Sequence, residues 1–400
     1  MHWRMPLLRT RLTRRSITAG AIVGLLGIAA CVSVAPRSGS GDVPVVRTGY
    51  KNGRDQIVRI ALATAAPATA APAGQIPGSG QSPLVIRPES NGSFVVWNGK
   101  RYRGELVISA TDSGLLVVNR LPMDDYLRGV VPLEIGGNRT AAEFAAVQSQ
   151  AVAARTYAYK HVNDTRAFDM YATVQDQVYG GVDAEKPQTD SAIMTTADVV
   201  VLYNGQPITT PYHSTCGGST AGVSEVWYDQ PDQPYLRPVS DRVPGTDHFY
   251  CDSSPRFSWT QSFDGAGLRA VMEKYLSVYT KAPKSGVGRI TDIKEQGRTP
   301  SGRLAAVSVQ TDSGTYTLRG NDIRFVLRDP KGVILNSTYF SFTTETSGGE
   351  VSRLNINGRG YGHGIGMCQW GAIGRARAGQ NYRTILETYY PGTTIGRIAG

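Results

Sequence analysis

The chain has 400 residues, of which 40% are hydrophobic and 18% are charged. This composition excludes a wholly disordered protein and allows one large domain, or two, with a real core. The formal net charge is +10, but residues 1–30 hold five arginines and no acidic residue, so subtracting those five charges leaves +5. A mildly basic remainder is compatible with an anionic polymer as partner, and also with general solubility alone.

The first thirty residues are typical of an export signal. A basic stretch ends at Arg15, and the apolar run ITAGAIVGLLGIAA (17–30) follows. That run is shorter than the roughly 20 apolar residues of a membrane span. It ends in IAAC, which resembles a bacterial lipobox. We therefore predict a signal peptide at 1–30 and lipidation of Cys31, so that the exported protein is anchored to the membrane; ordinary cleavage near Ala30 is the alternative.

Two segments have the composition of linkers. Residues 31–54 are mostly small and polar with prolines, and we predict that they form a tether. The stretch ATAAPATAAPAGQIPGSGQSP (63–83) cannot pack a core, and it predicts a flexible insertion at about 63–83.

The remaining chain alternates strand and helix signals. Residues 84–120 have period-two alternation with a hairpin signal at Asn98-Gly99, which predicts antiparallel strands. Residues 140–161 open with a capping box, Thr140 to Glu143, and carry a buried stripe composed mostly of alanine. No regular strand–helix–strand repeat appears, so we predict an α+β fold with mixed, largely antiparallel sheets and the alanine-rich helix packed near the active cleft.

Glu134 stands between the apolar VVPL and a Gly-Gly pair in LPMDDYLRGVVPLEIGG (121–137). A carboxyl in such a setting can be desolvated, which raises its pKa and suits it to general acid catalysis. From the pattern alone, a surface glutamate in a loop is the favoured interpretation.

A glycine-rich stretch, GRGYGHGIGMCQWGA (358–372), follows a predicted strand. A phosphate-binding loop would begin a strand–helix–strand unit, which this stretch near the end of the chain does not. Alternating glycines allow close backbone approach. They either let a ligand lie against the main chain or permit tight strand packing.

Two identical spacings pair histidine with cysteine, His213-x-x-Cys216 and His248-x-x-Cys251. Two histidines and two cysteines can hold zinc in a tetrahedral site. A Cys216–Cys251 disulfide explains the cysteines without metal and suits an exported protein. Both interpretations stay open, as does a third in which His213 is a polar group in a substrate cleft.

Four blocks in order make the chain resemble the stage II sporulation protein D (SpoIID)/LytB family. They are VNRLPMDDYLRGVVPLEI, AVQSQAVAARTYAY, YHSTCGGST and GRGYGHGIGMCQWGA followed by YYPGT. The resemblance spans roughly 55–396, which it implies is one SpoIID/LytB-like domain. The SpoIID branch of that family cleaves peptidoglycan glycan strands as lytic transglycosylases, and other members are described as amidase enhancers.

The resemblance implies that Glu134 is the catalytic residue and that no cofactor is required for catalysis. The expected reaction cleaves the MurNAc–GlcNAc bond and forms 1,6-anhydroMurNAc ends. Residues expected to hold the sugar are Arg155, Tyr157, His213, His363 and Gln369. Some members bind zinc near the H-S-T-C block, so the metal interpretation retains His213, Cys216, His248 and Cys251 as ligands of a structural zinc ion.

The expected partners are peptidoglycan glycan strands, a cell-wall amidase and the membrane through the lipid anchor, with no nucleic acid. The expected location is outside the cytoplasmic membrane, facing the cell wall or periplasm. A non-catalytic peptidoglycan-binding amidase enhancer is the alternative function.

Overall fold

The computed structural model describes residues 43–66, 82–90 and 92–399. Residues 1–42, which include the predicted signal peptide, Cys31 and the first half of the predicted tether, lie outside the described residues, as do residues 67–81 of the predicted insertion. Residues 44–400 form one compact unit. Among the described residues, no helix is both long and apolar enough to cross a membrane.

The strands of the described residues are numbered in chain order. They are β1 (Val45–Val46), β2 (Ile57–Ala66), β3 (Leu84–Ile86), β4 (Val95–Trp97), β5 (Lys100–Tyr102), β6 (Glu105–Thr111), β7 (Gly114–Pro122), β8 (Met170–Tyr171), β9 (Val199–Tyr203), β10 (Gln206–Pro207), β11 (Tyr212–His213), β12 (Ser258–Asp264), β13 (Ile290–Glu295), β14 (Ala306–Thr311), β15 (Gly314–Arg319), β16 (Phe340–Ser347), β17 (Glu350–Arg359), β18 (Met367–Cys368) and β19 (Thr394–Ile398). Strand β2 continues to Ala66, so the first residues of the predicted insertion are sheet.

The helices are numbered in the same way. They are α1 (Met123–Ile135), α2 (Phe144–His161), α3 (Pro187–Thr195), α4 (Val223–Val226), α5 (Gly265–Tyr279), α6 (Asp322–Val326), α7 (Gln369–Arg377) and α8 (Tyr382–Tyr389), with short 3-10 turns at Ala141–Glu143 and Gly181–Ala184.

Most strand pairings are antiparallel, as predicted for an α+β protein. The largest sheet has the order β3-β6-β7-β2-β8, and a second has the order β1-β19-β9-β10. The parallel pairs are β1 with β19, β2 with β8, and β11 with β18. The mixed α+β fold class is therefore confirmed.

Helix α2 lies in the interior of the unit. Its start follows the predicted capping box, in which the Thr140 N–H donates to Glu143 Oε2 at 3.0 Å. Ala151, Ala154 and Ala158 are fully buried, and so are residues on the opposite side of the helix. Because alanine has a small side chain, helices α1, α3, α7 and α8 can pack closely around it.

A separate apolar core lies in the second half of the chain. Helix α5 contributes Leu268, Met272 and Leu276, and strands β12 to β17 contribute most of the rest. The two ends of the unit meet elsewhere, in the sheet that contains β1 and β19, where Val45 pairs with Arg397.

Candidate active site

Glu134 lies in the last turn of α1, not in a loop. The helix runs through Pro132, whose carbonyl accepts a hydrogen bond from the Gly136 N–H at 3.1 Å. The half-buried Glu134 carboxylate accepts a hydrogen bond from the Val178 N–H at 3.1 Å. The helix and the loop at Val178 therefore fix the position of this carboxyl together.

Gly129 allows that loop to approach α1. A Cβ at Gly129 would lie 2.5 Å from a ring carbon of Tyr179. The Gly180 N–H donates to the Gly129 carbonyl at 3.0 Å, which joins loop and helix directly. A glycine five residues before Glu134 therefore brings the Val178 N–H within reach of the carboxylate.

The electrostatic environment favours the protonated form of Glu134. Burial raises the pKa of this carboxyl above the 4.5 of an ordinary glutamate, while hydrogen bonding from Val178, Gln369 and Tyr212 opposes the rise. The negative end of the α1 dipole lies nearby and also disfavours a carboxylate. Glu134 therefore retains its proton to higher pH than a solvated glutamate, as a general acid requires.

Tyr212 is oriented by the amide side chain of Gln177, which also bonds to Tyr126. Its hydroxyl oxygen accepts a hydrogen bond from Gln177 Nε2 at 3.0 Å, and Gln177 Oε1 accepts one from the Tyr126 hydroxyl at 3.0 Å. Burial, with Glu134 nearby, raises the pKa of Tyr212 well above its usual value. Tyr212 therefore keeps its proton and can donate it in a hydrogen bond toward Glu134.

Gln369 reaches the same carboxyl from the first turn of α7. It is buried, and its Nε2 also donates to Gln150 Oε1 on α2 at 3.2 Å. Of the predicted sugar-binding residues, Gln369 is the one that the structure brings to Glu134 through its side chain.

His363 holds the backbone of Tyr212 through a hydrogen bond. Its Nδ1 accepts a hydrogen bond from the Ile365 N–H at 3.0 Å, so Nε2 carries the proton and donates to the Tyr212 carbonyl at 2.9 Å. Burial lowers the pKa of His363 to about 4, which keeps the ring neutral. His363 thus positions a residue of the site through its backbone.

His213 is buried beside His363, with the two rings edge to face and their centroids 5.4 Å apart. Its Nδ1 lies 3.2 Å from the Ile365 carbonyl. Burial lowers the pKa of His213 well below its usual value, so the ring is neutral and Nδ1 donates to that carbonyl. This environment places His213 inside the protein rather than at a surface open to a glycan.

Arg155 is also an interior residue. Its side chain has no solvent exposure, and its guanidinium donates to the carbonyls of Ile193 at 3.1 Å and Val199 at 3.2 Å. These contacts place Arg155 in the core between α2, α3 and β9. The Arg155 side chain, which was expected to bind the sugar, therefore presents no exposed surface to a glycan.

Tyr157 is half-buried on α2 and donates its hydroxyl to Asp176 Oδ1 at 3.0 Å. Asp176 lies two residues before Val178, so Tyr157 holds the loop that contacts Glu134. Its connection to the site is therefore through that loop.

The alternating glycines pack against the segment that carries Tyr212. Gly360, Gly362, Gly364 and Gly366 all have positive φ. A Cβ at Gly366 would lie 2.1 Å from the Pro211 carbonyl oxygen, and one at Gly362 would lie 2.8 Å from the His213 Cβ. The structure therefore supports the tight-packing interpretation of this stretch.

An arginine and a tryptophan contact each other next to the chain segments that hold Glu134 and Gln369. The Arg139 guanidinium lies 5.4 Å from the centre of the half-buried Trp370 ring, and its Nε donates to the Ile135 carbonyl at 2.7 Å. Ile135 and Trp370 are neighbours in sequence of Glu134 and Gln369. Two cavities elsewhere, one lined by Asp124 and Arg128 and the other by Glu105 and Arg120, do not include Glu134.

The cysteines form a buried group of their own. The ligand atoms of Cys216, Cys251, Cys368 and Asp241 all lie within 4.8 Å of one another. The structure thus brings together the two cysteines of the predicted zinc set but not the two histidines. The His248 side chain is 81% exposed and its Nδ1 pairs with Asp252 at 3.0 Å, whereas His213 pairs with Ile365.

Sequence reasoning missed several residues of the site. Tyr212 is adjacent to His213 in the YHSTC block, yet it is the tyrosine side chain that reaches Glu134. Gln177 and Val178 lie in DQVYGG, a stretch whose only sequence signal is its Gly-Gly pair, which indicates a turn. Asp241 lies in a proline-rich loop and belongs to no motif.

Comparison with known proteins identifies the family. The family model described as "Stage II sporulation protein" matches residues 111–203, and a domain of unknown function (DUF8618) matches residues 245–366. An uncharacterized protein of Brachyspira hyodysenteriae is 33% identical over 74% of this chain and 73% of its own length. The chain belongs to the SpoIID/LytB family.

Two named relatives come from Bacillus subtilis. Its amidase enhancer is 33% identical over 78% of this chain but only 46% of the relative's length. Its stage II sporulation protein D is 28% identical over 70% of this chain and 75% of the relative. The chain thus spans less than half of the amidase enhancer that it matches.

Proposed function

We propose that this protein is an exported lytic transglycosylase that cleaves peptidoglycan glycan strands with Glu134 as its single catalytic carboxyl. The observation that supports this proposal most directly is the environment of Glu134. It is a half-buried carboxyl with a raised pKa, and Val178, Tyr212 and Gln369 all donate toward it. Membership in a family whose names refer to sporulation and to amidase enhancement is consistent with a role at the cell wall.

The first step needs a proton donor. Protonated Glu134 donates its proton to the glycosidic oxygen between MurNAc and GlcNAc, and the bond from that oxygen to C1 of MurNAc breaks. The carboxylate that forms is stabilised by hydrogen bonds from the Val178 N–H, Tyr212 and Gln369. These donors interact more strongly with the carboxylate than with the acid, so they help the proton to leave.

The second step uses the same carboxyl as a base. Ordinary glycosidases use two carboxyls, one of which activates water or attacks the sugar. Here the C6 hydroxyl of MurNAc attacks C1 and transfers its proton to Glu134. The sugar closes to a 1,6-anhydro ring without consuming water, and Glu134 returns to its protonated state. One carboxyl is therefore sufficient for the whole cycle.

The substrate is proposed to approach over the surface of Arg139 and Trp370. A ring stacked on arginine offers both an apolar face for a sugar and a positive charge for the lactyl carboxylate of MurNAc. Attachment through Cys31 and location outside the cytoplasmic membrane, facing the cell wall or periplasm, belong to the same proposal.

The test is digestion of purified glycan strands with the wild type, Glu134→Gln and Glu387→Gln, with products identified by mass spectrometry. Glu387 is the matched control because burial also raises the pKa of its carboxyl, yet it is exposed on α8. We expect 1,6-anhydroMurNAc ends with the wild type and Glu387→Gln, and none with folded Glu134→Gln. Anhydro ends formed by Glu134→Gln would contradict the proposed role of the carboxyl.

A non-catalytic amidase enhancer is the second candidate, and the similarity to the Bacillus subtilis amidase enhancer favours it. In that case Glu134 binds the glycan as a hydrogen-bond partner. The same preparation would then bind strands and stimulate a cell-wall amidase, and no anhydro ends would form with any variant.

A further inference from the structure

Two aromatic side chains beside His363 are not used by the proposed reaction. The Trp227 ring lies against the His363 ring, with the two centroids 5.5 Å apart. The backbone of Tyr361 is held by Thr215, because its N–H donates to the Thr215 carbonyl at 2.8 Å and its carbonyl accepts from the Thr215 N–H at 3.0 Å. Trp227, Tyr361 and His363 are all half-buried, so each retains some exposed surface. The hydrogen bond from His363 to the Tyr212 carbonyl joins these rings to the candidate active site.

Arg256 lies over the Tyr361 ring. Its guanidinium carbon is 4.0 Å from the ring centre, and the residue is exposed. The loop that carries it is anchored, because the Arg256 N–H donates to Ser254 Oγ at 3.2 Å and that hydroxyl group is hydrogen-bonded to Thr215 Oγ1 at 2.7 Å. An arginine stacked on a ring keeps the N–H groups at the edge of its guanidinium available to a ligand.

A second arginine, Arg324, is only 6% exposed. Its Nε donates to the Leu335 carbonyl at 2.8 Å, and its Nη1 donates to Asn321 Oδ1 at 3.0 Å. Burial lowers the pKa of its guanidinium to about 10, so the group remains charged at neutral pH. Within residues 43–66, 82–90 and 92–399, no acceptor bonds to the third nitrogen, Nη2, which is not sealed from solvent. This charged side chain therefore has one nitrogen available to an anion.

Both anchors of Arg324 connect it to the aromatic rings. The Asn321 N–H donates to the Val226 carbonyl at 2.9 Å, and the tryptophan is the next residue in the chain. The residue after the leucine anchor is Asn336, whose carbonyl accepts from the Gly362 N–H at 2.9 Å. Gly362 stands between the tyrosine and the histidine in sequence. The guanidinium is thus tied to the segments that carry all three rings.

The two arginines give this place a positive charge. After burial, the charge of Arg324 is the next cause that lowers the pKa of His363. In the part of the chain that the structure describes, neither Arg256 nor Arg324 forms an ion pair with a carboxylate. Arginine suits a carboxylate ligand because its planar N–H groups match the two oxygens. We call the four side chains the arginine–aromatic group: Trp227, Tyr361, Arg256 and Arg324.

We propose that the arginine–aromatic group is a second binding subsite for the glycan strand. A sugar ring lies against the aromatic side chains, and a carboxylate carried by the strand binds the two arginines. Because His363 joins the group to Tyr212, the bound sugar belongs to the same strand as the bond that Glu134 cleaves. This inference rests on the proposed function, since it takes the glycan strand as the ligand. The carboxylate comes either from the lactyl group of MurNAc or from a stem peptide.

The experiment measures binding in full-length Glu134→Gln, so that cleavage does not consume the ligand. Calorimetry compares peptide-free glycan strands, the same strands with amidated lactyl carboxylates, peptide-bearing strands, and a neutral chitooligosaccharide. We expect tighter binding of at least one carboxylated strand than of the neutral oligosaccharide. That difference should shrink as the salt concentration rises, because salt screens the charges.

The variants are made in the same Glu134→Gln chain. Arg256→Gln should weaken binding of the carboxylated strand about tenfold, because a charge-assisted hydrogen bond is lost. Its affinity for the neutral oligosaccharide should not change. Arg242→Gln is the matched control: Arg242 is also exposed and lies 6.0 Å from the Phe249 ring centre, but it pairs with Asp247. Arg242→Gln should therefore bind every ligand as the parent does.

The pattern of losses identifies the carboxylate. A loss confined to peptide-free strands with intact lactyl groups assigns the lactyl carboxylate, and a loss confined to peptide-bearing strands assigns the stem peptide. Unchanged affinity of folded Arg256→Gln for every carboxylated strand would overturn the proposal, and so would an equal loss for the neutral oligosaccharide.

Failure of this inference is distinct from failure of the proposed reaction. Wild type that forms anhydro ends, together with Arg256→Gln that binds like its parent, removes the subsite and leaves the reaction in place. Binding that depends on Arg256, without anhydro ends from the wild type, retains the subsite in a protein that binds the glycan and does not cleave it.

Discussion

His363 and Glu134 are connected through Tyr212. The histidine donates Nε2–H to the main-chain carbonyl of Tyr212 at 2.9 Å, and the tyrosine side chain interacts with the Glu134 carboxyl. The neutral ring uses its one N–H in that hydrogen bond and therefore acts on the site through the backbone.

Replacing His363 tests that connection. We expect His363→Phe to lower kcat for anhydro-end formation about tenfold or more, because Tyr212 shifts from the carboxyl. We expect KM to change less. Unpairing the Ile365 N–H and the Tyr212 carbonyl should also lower the free energy of unfolding by about 1–3 kcal/mol. His248→Phe, at an exposed histidine, is the control; unchanged kcat in folded His363→Phe would contradict a positioning role.

The pH dependence of the reaction should identify Glu134. The acid form is active, so the rate should be highest below the raised pKa of Glu134 and fall as pH increases through it. Tyr212→Phe removes a hydrogen bond that lowers this pKa. Its rate should therefore be smaller, but its alkaline limb should move to higher pH. Rates of anhydro-end formation across a buffer series would show this, and a shift to lower pH would refute it.

Replacing Arg155 should lower the stability of the protein without weakening substrate binding. Arg155→Met leaves the carbonyls of Ile193 and Val199 without their donor in the core. We expect the free energy of unfolding, measured by urea denaturation, to fall by about 3 kcal/mol or more. The KM of the folded fraction should be unchanged. Arg242→Ala, at a half-exposed arginine, should change stability little. A raised KM with unaltered stability would instead support sugar binding by Arg155.

A side chain at position 366 should destabilise the fold. Its φ is +70°, and a Cβ would lie 2.1 Å from the Pro211 carbonyl oxygen. Gly205 is a matched control, because its φ is +74° and a Cβ there meets nothing within 4 Å. Gly205→Ala should cost only the conformational penalty of about 1 kcal/mol, whereas Gly366→Ala should cost about 1–3 kcal/mol more. Equal losses of stability in thermal or urea denaturation would show that the packing contact does not matter.

Local signals in the sequence predicted local structure well. The Asn98-Gly99 pair does form the turn between β4 and β5, with φ of 49° and 71°. The capping box begins the turn that leads into α2. These features depend on neighbouring residues and backbone preferences, which a sequence displays directly.

Contacts between residues far apart in the sequence were harder to predict. Arg155 was expected to hold the sugar, but helix α2 is buried on almost every side, so a position on this helix does not imply contact with solvent. Asp241 meets Cys216 and Arg375 from positions 25 and 134 residues away. No local sequence pattern encodes these contacts, because they form only when separate segments fold onto one another.

Strands β1 and β19 lie side by side and run in the same direction, with the Arg397 N–H donating to the Pro44 carbonyl at 2.7 Å and the Ala399 N–H donating to the Val46 carbonyl at 2.9 Å. Residues 45 and 397 are thus neighbours in one sheet, separated by roughly 4.8 Å. A circular permutant that joins these positions by a short glycine–serine bridge and opens at the exposed Asn204-Gly205 turn should preserve every other strand pairing. Fluorophores attached next to β1 and β19 would show by a loss of energy transfer when these two strands separate.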